Sequence, residues 1–149
     1  MIKVNQLKSL LLESQTEIEG LNKNLLLLDD SELTNFLKDL KISENCVLIG
    51  IMPQFVPKGT EDSIRFISQL QFMILKKSAD KDFKNQDEYL QMFADTQDLM
   101  ELFVAKLFGE KMEDLCGGTA EYIEESISIY PVWRKAQCNG WALEIDLLS

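Results

Sequence analysis

QCNGWALEIDLLS, residues 137–149, ends the sequence on an apolar stretch, and its reading decides the fold. Chain ends usually fray, so Trp141, Leu143, Ile145 and Leu147 at two-residue intervals need a structural reason to be there. A β-strand supplies one. Side chains alternate across a strand, so those four share one face while Ala142, Glu144 and Asp146 share the other. Asn139-Gly140 just before them is the dipeptide favoured in a type I′ hairpin turn, where both central residues need positive φ. The last strand is therefore expected to pair with the stretch upstream, YIEESISIYPVW (122–133), in which Ile127 and Ile129 alternate with serines. Pro131 donates no backbone hydrogen bond and restricts that partner to a sheet edge or a bulge. The terminal strand then has one face on the core, where Trp141 alone would bury on the order of 200 Å².

Moving outward, the element facing that strand is readable as well. Asn85 followed by Glu88 has the form of a helix start, and Tyr89, Met92, Phe93, Thr96, Met100, Phe103 and Leu107 mark one face through five turns. Gly109 stands where a left-handed cap residue is favoured, so a helix over about 86–108 is expected. Before it, CVLIGIM (46–52) is continuously apolar and bounded by KISEN and Pro53, the pattern of a strand buried on both sides. QFVPKGTED (54–62), with Pro57 and Gly59, reads as a loop, and SIRFISQLQFMILKK (63–77) as a second strand. Together they read as a long hairpin.

The first 45 residues read as a helical N-terminal region. Val4, Leu7, Leu10 and Leu11 predict a helix over about 1–17. LNKNLLLLDD (21–30) fits a short buried strand and a helix end equally. Asp29, with Glu32 three residues on, resembles a capping box, and Leu33, Phe36, Leu37 and Leu40 predict a helix over 31–40. The chain is thus expected to be one domain, 1–149, whose core from residue 46 runs β-β-α-β-β. Its fold class is α+β, with a mostly antiparallel sheet of two hairpins and one long helix packed across it.

Composition narrows the function. At 149 residues, 46% hydrophobic and 27% charged, the chain is ordinary for a globular domain. Histidine is absent, which removes Ser-His and Cys-His nucleophile pairs and histidine metal sites together. Cys46, Cys116 and Cys138 match neither a disulfide framework nor a zinc spacing and read as reduced, mostly buried thiols. A net charge of -10 repels nucleic-acid phosphates. No apolar run approaches the ~20 residues needed to cross a bilayer, and the N-terminus turns polar too early for a signal peptide, so a cytoplasmic location is expected.

Candidate chemistry is sparse. Asp29/Asp30, Glu61/Asp62 and Glu124/Glu125 are adjacent carboxylates, and neighbours on a strand point to opposite faces instead of converging in a cleft. DKDFKNQDE (80–88) alternates oxygen donors but lacks the glycine and the bidentate glutamate of a calcium loop. CGGT (116–119) lacks the spacing of a phosphate-binding loop. VWRK (132–135) beside Trp141 offers aromatic and cationic groups at the hairpin tip. Trp133, Arg134 and Trp141 are the candidate protein-contact residues, since Trp and Arg dominate interface hot spots. No catalytic residue, cofactor or metal is expected.

The order of a helical region, a long hairpin (CVLIGIM and SIRFISQLQFMILKK), a helix over 86–108 and a final hairpin closing on GWALEIDLL resembles the tail-terminator and tail-completion proteins of tailed bacteriophages, over about residues 43–149. The resemblance implies a non-enzymatic subunit that forms a ring, usually six-fold, at the head-proximal end of a tail tube, assembled in a virion and in contact with a neck protein. It carries over no site residue, and the first 45 residues exceed the single helix it implies. A cytosolic adaptor that binds a partner through Trp133 and Arg134 is the alternative. In a ring, sheet edges would be covered by neighbouring copies and acidic groups would line a DNA conduit without binding it.

Overall fold

The computed structural model describes residues 2–60, 63–78, 82–111, 115 and 121–149. Its elements follow the order α1 (Val4–Glu17), β1 (Lys23–Leu27), α2 (Asp30–Asp39), β2 (Val47–Thr60), β3 (Ser63–Lys77), α3 (Gln86–Lys106), β4 (Glu121–Tyr122), β5 (Ser128–Lys135) and β6 (Cys138–Leu148). The class is α+β. Among the described residues the six strands form one sheet in the order β1-β2-β3-β6, with β4 and β5 both paired to the far side of β6. All pairings are antiparallel except β1 with β2.

The terminal strand sits between β3 and β5, and the alternation in its sequence selects its neighbours. Leu143, Ile145 and Leu147 turn toward α3 and α1, where they join Leu48, Leu70, Phe72, Ile74, Met100 and Phe103 in one core. Ala142 turns the other way, into a second core made by Leu33 and Leu37 of α2 and Leu40 just after it with Val47, Ile49, Met73 and Leu75. The sheet is thus covered by α1 and α3 on one face and by α2 on the other. Both faces need apolar side chains there, which is why CVLIGIM has no polar alternation: Val47, Leu48 and Ile49 are all fully buried.

Local chemistry sets the helix boundaries. Asp29 Oδ1 accepts from the backbone N–H groups of Ser31 and Glu32, while Glu32 Oε2 accepts from the N–H of Leu28, one residue earlier than a capping box would place it. Asn85 Oδ1 likewise accepts from Glu88 N–H, and Glu88 reaches back to Lys84 N–H. At the other end of α2, the Lys77 ammonium donates to the carbonyls of Leu37 and Lys38, partners otherwise missing from a helix C-terminus.

Four expectations are corrected. The first 45 residues are not purely helical: LNKNLLLLDD contains β1, whose Leu26 packs on the α1 side and whose Leu25 and Leu27 pack on the α2 side. Burial on both faces leaves no polar alternation to distinguish such a strand from a helix end. QFVPKGTED is not a loop, because β2 continues through Thr60 in register with β3. Gly109 is not a left-handed cap; α3 ends in a turn of π-helix over Leu107–Lys111, and positive φ among the described glycines occurs at Gly20, Gly59 and Gly140. Asn139-Gly140 is not the hairpin turn either. Ala136 and Gln137 make it, with φ of 48° and 64°.

Pro57 in β2 and Pro131 in β5 explain how the outer part of β2 and the whole of β5 remain edges. Phe66 and Ser149 exchange two backbone hydrogen bonds, of 2.7 and 2.9 Å, so Phe66 directs its N–H and C=O toward β6. Its partner on the other side, Pro57, then turns its nitrogen to the open edge, where no ladder bond is lost. The same alternation counted along β6 turns Pro131, opposite Trp141, outward as well. Both open antiparallel edges therefore lack a donor that an incoming strand would need.

Candidate functional site

The hairpin tip that carries the candidate contact residues is built by Asn139. Its Oδ1 accepts from Arg134 N–H at 2.8 Å and its Nδ2 donates to Ser78 Oγ at 3.1 Å, with the side chain almost fully buried. This holds Arg134 at a φ of 52° and shifts the β5–β6 register between Val132 and Lys135. The Arg134 guanidinium consequently lies over the Trp133 ring, 4.8 Å from its centroid, and Trp133 is 62% exposed. An exposed aromatic stacked under a cation is a group suited to protein contact.

Trp141 does not belong with this pair. Its indole N–H donates to the Phe93 carbonyl at 2.9 Å, and its ring meets the Phe93 ring edge-on at 6.4 Å. It extends an aromatic chain that runs from Phe83 through Tyr89 to Phe93 along the start of α3. Sequence proximity across the hairpin suggests a shared site; the register shift after Val132 and the hydrogen bond of Trp141 to α3 separate the two roles. Replacing Trp141 with Phe is expected to cost about 0.5–1.5 kcal/mol, because one hydrogen bond to the Phe93 carbonyl is lost while Thr96 Oγ1 still donates to it. Trp133→Ala is expected to stay within about 0.5 kcal/mol. Urea unfolding of both variants measures this, and equal losses would contradict the division.

A polar cluster occupies the α2 side of the sheet, beyond the helix itself. Tyr130 Oη donates to Glu144 Oε1 at 2.6 Å, and Gln71 Nε2 donates to the same oxygen at 2.9 Å. Burial, reinforced by the Glu144 carboxylate, pushes the Tyr130 phenol above its ordinary pKa. The cluster adjoins an open cleft of about 500 Å³ lined by Gln54, Gln69 and Asp146. Tyr130, Gln71 and Glu144 satisfy one another, so the cluster works as a cross-strand tie between β3, β6 and β5.

The adjacent carboxylates behave as separate groups. Asp29 is occupied as a helix cap, and the hydrogen bond from the Ser31 hydroxyl, followed by that from Glu32 N–H, holds its carboxyl below the usual range. Glu124 and Glu125 lie in a short 3₁₀ turn before β5. Glu61 and Asp62, the CGGT segment with Cys116, and the start of DKDFKNQDE fall outside the described residues. Among those described, no three His, Cys, Asp or Glu side chains converge as a metal-holding group. Among the described residues no helix is long and apolar enough to cross a membrane.

Cys46 and Cys138 are free and buried, on opposite faces of the sheet. Burial raises the Cys46 thiol and pushes Cys138 up to about 11, against an opposing pull from Lys77. Both are expected to react with a thiol reagent at pH 8 far more slowly in the folded protein than after denaturation. The neutral thiol is favoured by folding, so the Cys138 contribution to stability is present below pH 9 and is lost as pH rises toward 11. Rapid native labelling of Cys138 would contradict its placement.

The feature that sequence reading missed is an arm. Beyond Gln69 the β2–β3 pair leaves the helices, and from Gln54 to Thr60 and from Ser63 to Arg65 every residue is exposed. Past Phe66, β3 has no strand but β2 beside it. Alternation puts Phe55, Pro57, Ile64 and Phe66 on one face of this ribbon, and Lys58 and Arg65 directly opposite each other on the other. Two prolines and a glycine suggested a loop, but each is compatible with a strand here: Pro53 lies at the bulge after Ile51 and Pro57 faces the open edge. Gly59, at a φ of 119°, sits near the ribbon's end. No family model matches the chain, and no curated protein matches it at a significant level.

Proposed function

We propose that this protein is a non-enzymatic assembly subunit that closes with copies of itself into a ring, of the kind that terminates a bacteriophage tail tube. The observation that carries the reading is the exposed β2–β3 arm. It presents Phe55 at 38% and Ile64 at 58% exposure on a two-stranded ribbon that leaves the helix-covered body. Exposed apolar side chains clustered on a projecting element are characteristic of surfaces that are covered by another chain. The element order, two hairpins joined through β3 and β6 with α3 across them, supports the tail-terminator comparison. The charge of -10 suits a subunit that lines a path for DNA without holding it.

The adaptor reading rests on a different observation, the Trp133–Arg134 stack at the β5–β6 tip. It requires one partner per chain and no closed symmetry. Negative-stain electron microscopy of the purified protein separates the two: closed annular particles of uniform diameter are expected, and a field of single small particles at micromolar concentration would favour the adaptor.

A further inference from the structure

We infer that the arm and the groove between α3 and β5 are the two halves of one contact between copies of this chain, the arm of each copy seated in the groove of the next. The inference rests on the ring reading and names the surfaces that make the ring. The groove has a volume of about 420 Å³ and is lined by Met100, Val104, Ala105, Ile129 and Trp141, with Glu101 on its wall. Asp98, one turn before Glu101 on α3, is exposed as well. The groove is therefore apolar at its floor, with the acidic Glu101 on its wall and Asp98 one turn away.

The arm has the complementary character. Its apolar face carries Phe55, Pro57, Ile64 and Phe66. Its other face carries Val56 and Ile67 and, nearer the tip, Lys58 and Arg65, directly opposed in a chain of net charge -10. Like charges directly opposite one another weaken a β-ribbon, and the contact Arg65 makes with Glu121 is long, at 3.9 Å. An acidic surface brought against the arm relieves that repulsion. The stems of Lys58 and Arg65 are long enough to reach past the ribbon's edge while the apolar face lies on the groove floor.

The arm cannot fill the groove of its own chain. Ile64 lies eight residues along β3 from Phe72, whose neighbours across the sheet are Leu143 and then Ile129. That is about 26 Å along one continuous sheet at 3.3 Å per residue. A second copy is required, and two different surfaces in contact make a heterologous joint, which closes into a ring when its rotation allows. The outward prolines at 57 and 131 remove donors that strand addition would need, so the joint is made by side chains.

Charge exchange tests this. The arm variant Lys58→Glu/Arg65→Glu and the groove variant Asp98→Lys/Glu101→Lys change only exposed residues, and circular dichroism should show both folded. Each alone is expected to weaken self-association at least tenfold relative to the unmodified chain by light scattering. Mixed in equal amounts they should reassemble, because unmodified arm meets unmodified groove at one joint and exchanged arm meets exchanged groove at the next. An arm variant that keeps the full assembled mass, or a mixture that stays monomeric, would overturn the inference while leaving the ring reading in place. An unmodified chain that is itself monomeric would overturn both.

Discussion

A chain lacking residues 141–149 is expected to fail to fold. Those residues supply most of β6, which bridges the two hairpins by pairing with β3 from Lys77 to Ile67 on one side and with β4 and β5 on the other. They also supply Leu143, Ile145 and Leu147, each at most 1% exposed, and the part-buried Trp141. Complete burial of such side chains contributes roughly 1.5–3 kcal/mol each, and total stability of a domain this size is about 5–15 kcal/mol. Losing them together with the central ladder exceeds what remains. Far-UV circular dichroism and a thermal melt read the result; a truncated chain with a cooperative transition near that of the full chain would contradict the placement of β6.

Gly140→Ala should be the most damaging single small substitution, at about 3 kcal/mol or more, near the upper end of point-mutant effects. A Cβ at this position would stand 2.0 Å from the Ile74 carbonyl oxygen, on the neighbouring strand's backbone. No side-chain rotation relieves that contact, so β6 would have to move off β3. Gly109→Ala is the matched control. A Cβ there meets nothing within 4 Å, and the residue lies in a helical turn, where alanine is favoured. Urea unfolding should show a large loss for the first and no loss or a small gain for the second; similar effects at both positions would refute the strand geometry around Gly140.

The two glycines also show how far the sequence was legible. Periodicity recovered the elements whose two faces differ: α2, α3 and the terminal strand were placed by spacing and caps, and Leu143, Ile145 and Leu147 landed on the predicted face. It failed where side chains carry no contrast. Leu25 to Leu27 are apolar on both sides because the sheet is covered on both sides, so β1 could not be told from a helix end. It failed again where a turn signal was spent on something else. Asn139-Gly140 looked like a hairpin turn, but Asn139 is used to bind Arg134 N–H and Ser78, and Gly140 to let β3 approach. The turn three residues earlier has Ala and Gln, which give no signal at all.

The contact residues were legible in the same uneven way. Trp133 and Arg134 are exposed together as their residue types suggested. Trp141 was drawn to them by adjacency in the hairpin, while its indole N–H belongs to Phe93. The arm was hidden by Pro53, Pro57 and Gly59, which ordinarily mark a loop. A proline whose nitrogen faces an open edge is compatible with a strand, and that edge is visible only once β3 and β6 are in register. Apolar residues at 55, 57, 64 and 66 flanking a glycine were the one sequence signal that pointed to a ribbon.

The ring is tested most directly by the mass of the assembled particle across ionic strength. Subunits of net charge -10 repel one another at long range, and salt screens that repulsion over a Debye length of about 8–10 Å near physiological ionic strength. Sedimentation equilibrium at several protein concentrations should therefore find a discrete closed oligomer, a fixed multiple of 17.1 kDa, whose population rises with salt from low ionic strength. A single species of 17.1 kDa at every salt and protein concentration would contradict the account.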